Sequence, residues 1–196
     1  MIRRTFVLLL FLTAPVAAQP ESTPTRLVEA AYAQIGVTLR YDASYRQIAF
    51  PGGDVPRDRG VCSDVIIRAY RGAGIDLQRL VNDDMRRAFA AYPHLWRLSR
   101  ADPNIDHRRV PNLAMFFARH GASLGLTGDA EAYRAGDVVT WRLPGGLAHI
   151  GLVADRKADG RPLVVHNIGG GAQLEDVLFA FEITGHYRYL PERSSR

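Results

Sequence analysis

The sequence predicts an α+β domain, with N-terminal helices packed on an antiparallel sheet. Three observations lead there. Apolar residues recur at helical spacing up to about residue 120, short strand-like runs bounded by glycine turns follow Gly136, and helices do not alternate with strands as a parallel sheet requires. With 196 residues, 47% of them apolar, the chain can bury one sizeable core, so a single domain over 19–196 is expected.

Arg3 and Arg4 precede an apolar run from Phe6 to Leu12, followed by Pro15, Val16, Ala17 and Ala18. This is the pattern of a secretory signal peptide over 1–18 with cleavage after Ala18. The run is shorter than the roughly 20 residues that span a bilayer, so no stable membrane insertion is expected after cleavage. The mature protein is expected to be exported, periplasmic or secreted. Next, Thr25 to Gln34 reads as a helix with Leu27, Val28, Ala31 and Ile35 on one face and Gly36 as its stop. A loop rich in Tyr, Gly and Pro covers 41–60. From Cys62 onward Val65, Ile66, Ala69, Tyr70 and Ala73 recur at helical spacing until Gly72 and Gly74 end the run. Leu77 to Ala90 is a third helix, 92–109 a long loop, and Pro111 opens a helix to about His120. Val138–Trp141, His149–Val153, Leu163–His166 and Ile183–Leu190 read as strands, with turns at Pro144-Gly145-Gly146 and 156–162. A further helix is expected near Glu175.

The formal net charge of +5 includes Arg3 and Arg4, which leave with the signal peptide. The remaining excess is mild and carried almost wholly by arginine, with Lys157 the only lysine, so no nucleic-acid partner is expected. One cysteine in an exported chain cannot form an internal disulfide. Cys62 is therefore a reactive thiol, a buried filler or half of an intermolecular bridge.

A thiol attacks as thiolate, and a helix N-terminus favours that form through its unpaired N–H groups and dipole. Cys62 opens a helix after Gly60, and its own N–H is suited to an oxyanion. Asp64 sits two residues on, where its charge opposes a thiolate. A nucleophilic cysteine also needs a base held by a third polar group. His149 starts a strand after a glycine turn, and His166 ends the following one, so a hairpin would bring the two together. Asn167 is the alternative third member, but neighbouring strand residues face opposite sides, so only one of the two points at His149.

These residues, with Gly136-Asp137-Val138-Val139-Thr140-Trp141, His149-Ile150-Gly151-Leu152-Val153 and Val164-Val165-His166, resemble the NlpC-type branch of papain-like cysteine peptidases. The blocks Gly60-Val61-Cys62-Ser63-Asp64-Val65, 104–112 and 165–169 further resemble bacterial domain-of-unknown-function family 1287, over nearly the whole mature chain. The resemblance implies a papain-like (NlpC-type) fold and a Cys62–His149–His166 thiol hydrolase cleaving amide bonds, with peptidoglycan or another peptide as partner. It implies a substrate or oxyanion role for Tyr41, with Tyr45 as its rival, and substrate contacts around Trp141. Two departures stand out. The NlpC-type Asp-Cys-Ser-Gly is here Val61-Cys62-Ser63-Asp64, and the polar loop holding Asn104, Asp106, His107, Arg108 and Arg109 is extra. Either arginine could pair a substrate carboxylate, or Asp106 could pair with an arginine to anchor the loop.

No cofactor is expected. A metal-dependent hydrolase built on His107, His149 and His166 with Asp106 or Asp137 is the mechanistic rival, although no His-Glu-x-x-His helix or paired-cysteine site is present. Gly169-Gly170-Gly171 lacks the Gly-Lys-Ser/Thr of a phosphate loop and reads as a turn. A non-catalytic module binding cell-wall glycan or peptide through Trp96, Trp141 and the tyrosines is the third reading.

Overall fold

The structure, a computed structural model, describes residues 21–191, and the signal peptide expected over 1–18 lies outside them. Helix α1 (Thr23–Tyr32) begins two residues earlier than its apolar spacing suggests, because the Ser22 hydroxyl accepts the Thr25 N–H and caps it. Two tiny strands follow, β1 (Arg40–Tyr41) and β2 (Arg59–Gly60), paired in parallel with Tyr41 opposite Gly60. Helix α2 (Cys62–Gly72) is the centre of the molecule, with every residue from Cys62 to Tyr70 buried. Its polar members are therefore held by internal partners rather than water. Helix α3 (Leu77–Ala88) and helix α4 (Val110–Arg119) complete the helical layer, and the loop between them carries a 3₁₀ turn at Asp106–Arg108. Among the described residues, no helix is long and apolar enough to cross a membrane.

The sheet contains β3 (Ser123–Leu124), β4 (Val138–Arg142), β5 (Ala148–Ala158), β6 (Arg161–His166), β7 (Gln173–Glu175) and β8 (Glu182–Tyr187). Its spatial order is β3-β8-β4-β5-β6-β7, with antiparallel pairing throughout. The α+β arrangement of helices packed on an antiparallel sheet is thus as expected. Two local expectations fail. The segment near Glu175 is a strand, since Val164↔Glu175 and His166↔Gln173 pair it to β6. The polar turn expected over 156–162 shrinks to Asp159-Gly160, because β5 and β6 extend to meet there as a hairpin.

Both faces of the sheet are covered, which is why β4 reads as a nearly continuous apolar run. On one side Ile150, Leu152 and Val165 join the core with α1, α2 and α4. On the other, Val139, Trp141, Val153 and Val164 pack with Tyr133 and Leu178.

Candidate active site

The parallel β1–β2 ladder sets Tyr41 beside Gly60, two residues ahead of the α2 N-terminus. The Tyr41 hydroxyl and the backbone N–H groups of Ile150 and Ser63 bear on the Cys62 sulfur and favour its charged form. Cys62 is only 3% exposed. Burial pushes its thiol up to about 11, outweighing those three donors. The helix N-terminus therefore does not produce a resting thiolate, contrary to the expectation from position alone. Removal of the charged form from water is the larger effect here. Tyr41 is raised to about 12 by its own burial and by the neighbouring Cys62, so it stands as a hydroxyl donor.

Asp64 adds to the rise of the thiol, as its sequence position suggested, but its carboxylate is itself held by other partners. Its carboxylate accepts the Val61 N–H at 2.6 Å and receives Arg108 through two bonds, Nε at 2.8 Å and Nη2 at 2.9 Å. Arg108 also donates to the Ser44 and Asp42 carbonyls. Both partners are buried, so this pair holds the base of α2 and neither is free for substrate. Gly60 is required beside it, since a Cβ there would stand 2.9 Å from Asp64 Oδ2.

The histidines come together across the β5–β6 hairpin. His149 Nε2 lies 2.9 Å from His166 Nδ1, and His166 Nε2 lies 2.8 Å from Glu175 Oε2 on β7. The register Leu152↔Val165 puts Gly151 opposite His166. A Cβ on Gly151 would stand 2.5 Å from Val164 Cγ1 and 3.2 Å from His166 Cβ, so the bare backbone makes room for the contact. Trp141, paired with His149 across β4 and β5, packs its ring 5.7 Å from the imidazole and donates its indole N–H to the Leu178 carbonyl. Burial, then the nearby His166, lowers His149 to about 3, so its imidazole is neutral. Its ring leaves β5 on the side of Trp141 and His166, whereas Ile150 enters the core with α2. The sheet N–H that favours the charged thiol is that of Ile150, the residue after His149. Among the described residues no hydrogen bond joins the sulfur to His149, whose Nδ1 is the ring nitrogen not engaged by His166.

Asn167 does not compete for the base. Its amide donates to the Gly60 carbonyl at 3.1 Å and so fastens β2, ahead of the cysteine, to the end of β6. The 102–109 loop is largely an internal anchor. Asn104 accepts the Ile48 N–H and donates to Tyr45 Oη, while Asp106 accepts the Asp102 N–H and Arg109 Nη1. His107 is buried with Nδ1 lacking a partner. Arg109, besides its bond to Asp106, stacks 4.0 Å over the Trp96 ring and, like Arg108, lines the open cleft of ≈ 570 Å³ above Cys62. Tyr41, Tyr45, Trp96 and Leu147 share that cleft, and no Asp or Glu does. Trp141 lines instead an adjoining hollow of ≈ 390 Å³ between α4 and the sheet.

The groups nominated for metal are spent separately: Asp137 on His186 and Arg188, Asp106 on Arg109, and His149 on His166. No cluster of three or more His, Cys, Asp or Glu suited to a metal occurs among the described residues. Glu175 is the site residue that sequence reasoning missed.

Two neutral buried imidazoles carry a pH consequence. His107, lowered to about 3 by burial and then by Arg108, and His149 are both uncharged in the fold but titrate near 6.5 when unfolded. The unfolded chain then binds more protons between about 3 and 6.5, so stability is complete above that window and falls as pH drops through it. Denaturant unfolding at pH 7 and 4.5 is expected to show this loss. His107→Leu should shrink it, and an unchanged loss in that variant would remove His107 from the account.

The sequence profile of a family described as Domain of unknown function (DUF1287) matches residues 28–189. The chain is 56% identical over 169 residues to the Escherichia coli (strain K12) protein YijF, described as uncharacterized, covering 86% of this chain and 82% of that one. Among solved structures it resembles NlpC1 from Trichomonas vaginalis (15% identity, TM-score 0.46, 88% of this chain and 46% of that one). It also resembles an NLP/P60-family protein similar to lipoprotein from Staphylococcus aureus subsp. aureus Mu50 (16%, TM-score 0.47, 92% and 45%). A third likeness is an N-acetylmuramoyl-L-alanine amidase from Bacteroides uniformis ATCC 8492 (12%, TM-score 0.45, 84% and 98%). The chain thus spans less than half the length of the first two.

Proposed function

We propose that this chain, which belongs to the DUF1287 family, is an exported thiol hydrolase that cleaves amide bonds in peptidoglycan stem peptides. The observation that carries the reading is the meeting of two separate constructions on one strand. The Cys62 sulfur lies at a helix N-terminus beneath an open cleft, where the Ile150 N–H favours its charged form, and the preceding residue, His149, begins a chain of ring contacts.

In the proposed reaction His149 Nδ1 takes the thiol proton as the sulfur attacks the amide carbon. The carbon–sulfur bond forms, and the carbonyl π electrons pass to oxygen, which the Tyr41 hydroxyl and main-chain N–H groups at the site are suited to stabilise. Collapse breaks the carbon–nitrogen bond, with His149 protonating the leaving amine. Water then attacks the thioester, its proton going to His149 and on to the departing sulfur. Because thiol and imidazole both rest neutral, proton transfer accompanies attack instead of preceding it as a stored ion pair. The thiol–imidazole bond is then made in the complex with substrate. A cleft containing Arg109 and no acidic side chain suits a peptide with a free carboxylate.

The test is incubation of the mature protein with purified peptidoglycan and mass analysis of released fragments, beside Cys62→Ala. Peptide release by the wild type and a loss of roughly 10³-fold or more in the variant is expected. Equal release would end the thiol mechanism. Binding without release by either protein would assign the aromatic cleft to a wall-binding module.

A further inference from the structure

We propose that Glu175 is a positioning residue: through His166 it fixes which nitrogen of His149 is free to act as a base. The inference rests on His149 being that base, but the proton arrangement it specifies is measurable without any reaction.

The geometry is a line of contacts across three strands. His166 faces Gly151 on one side and Gln173 on the other, and each real partner lies two residues from that opposite position. His149 on β5 and Glu175 on β7 are therefore diagonal neighbours of His166, on the side of the strands to which its ring points. The separations of 2.9 Å and 2.8 Å are hydrogen-bond lengths.

Proton bookkeeping follows from the end of the line. An ionised carboxylate only accepts, so His166 Nε2 must donate to Glu175. A neutral His166 then has a bare Nδ1, which must accept from His149 Nε2. A neutral His149 with its proton on Nε2 has its lone pair on Nδ1, the nitrogen needed for the thiol. Burial favours the neutral form of both rings. With the opposite order His149 would hold its proton on Nδ1 and could not accept another there. When His149 takes the thiol proton, both its nitrogens carry hydrogen, its Nε2–H still points to His166, and no other proton moves. Glu175 supplies the negative end of the line that faces the new cation.

His166 has both ring nitrogens engaged, whereas Nδ1 of the buried His107 and His186 is unpartnered. The carboxylate side chain is 40% exposed on a sheet-edge strand, so changing it need not disturb the core.

Nitrogen-15 spectra of ring-labelled protein at pH 7 are expected to show His149 as the Nε2–H tautomer. Glu175→Gln removes the charge and lets either end of an amide face His166, so His149 should become a mixture of tautomers. On a cleavable peptide, kcat should fall roughly 10–100-fold with KM little changed, and Glu175→Asp should recover part of the loss. A wild-type His149 found as Nδ1–H overturns the proposal, as does Glu175→Gln that leaves both tautomer and kcat unaltered. If the tautomers respond as stated but no peptide is cleaved by the wild type, the positioning role stands and the hydrolase reading falls.

Discussion

Replacing His149 with alanine is expected to lower amide hydrolysis by roughly 10²–10⁴-fold, the range that a positioned base contributes. The loss should appear in kcat, because the ring is 2% exposed and is asked to act on the thiol, not to hold the substrate. The pH dependence adds a sharper signature. With His149 lowered to about 3, the base stays neutral across the mildly acidic range, and with Cys62 raised to about 11 the thiol keeps its proton through neutrality. For the wild type kcat/KM should therefore hold a plateau from about pH 5 to 9 and decline on the acid side only as pH nears 3, provided the protein remains folded. Residual activity in His149→Ala should lack that acid limb and rise with pH, since only spontaneous ionisation of the thiol then supplies a nucleophile. A wild-type acid limb near 6.5 would mean an imidazole in contact with water, and a thiol–imidazole pair arranged differently from this one.

Much of this arrangement was legible in the residues, and the parts that were not share a physical cause. Apolar spacing of 3.6 located α2 and hence put Cys62 at a helix start, and the hairpin logic that joined His149 to His166 needed only two strands and a turn. Glu175 gave no such signal, because β7 has three residues and follows a run of glycines, too short for a period to show. The β1–β2 ladder that delivers Tyr41 is shorter still. Asp64 and Arg108 are 44 positions apart, so nothing local announces the guanidinium that holds the carboxylate beside the thiol. The protonation of Cys62 is hidden from the sequence for a related reason: a helix N-terminus is a local feature, whereas desolvation depends on everything that packs over the sulfur. Asn167 and His166 were separable in principle by strand alternation, but which of the two faced His149 required the register.

The largest loss of stability is expected from Asp64→Ala, about 3–5 kcal/mol, because it strands the Arg108 guanidinium in the interior. Arg108 would keep only the Ser44 and Asp42 carbonyls, neutral partners that do not offset a buried charge. The companion Arg108→Met should also destabilise, by leaving the carboxylate unpaired. Combining the two should recover much of the cost, since removing both charges also removes both desolvation penalties. Recovery should stop short of wild type, because Asp64 also accepts the Val61 N–H, a contact worth about 1 kcal/mol at a helix start. Denaturant midpoints for the four proteins give the coupling directly, and strictly additive losses would show that the two charges do not stabilise one another. The remaining deficit has a functional reading: Val61 is the last residue before the cysteine, and Asn167 holds Gly60 from the other side. A double variant that regains stability yet loses hydrolysis would separate the two duties of Asp64, charge partner to Arg108 and fastening of the backbone that presents the thiol.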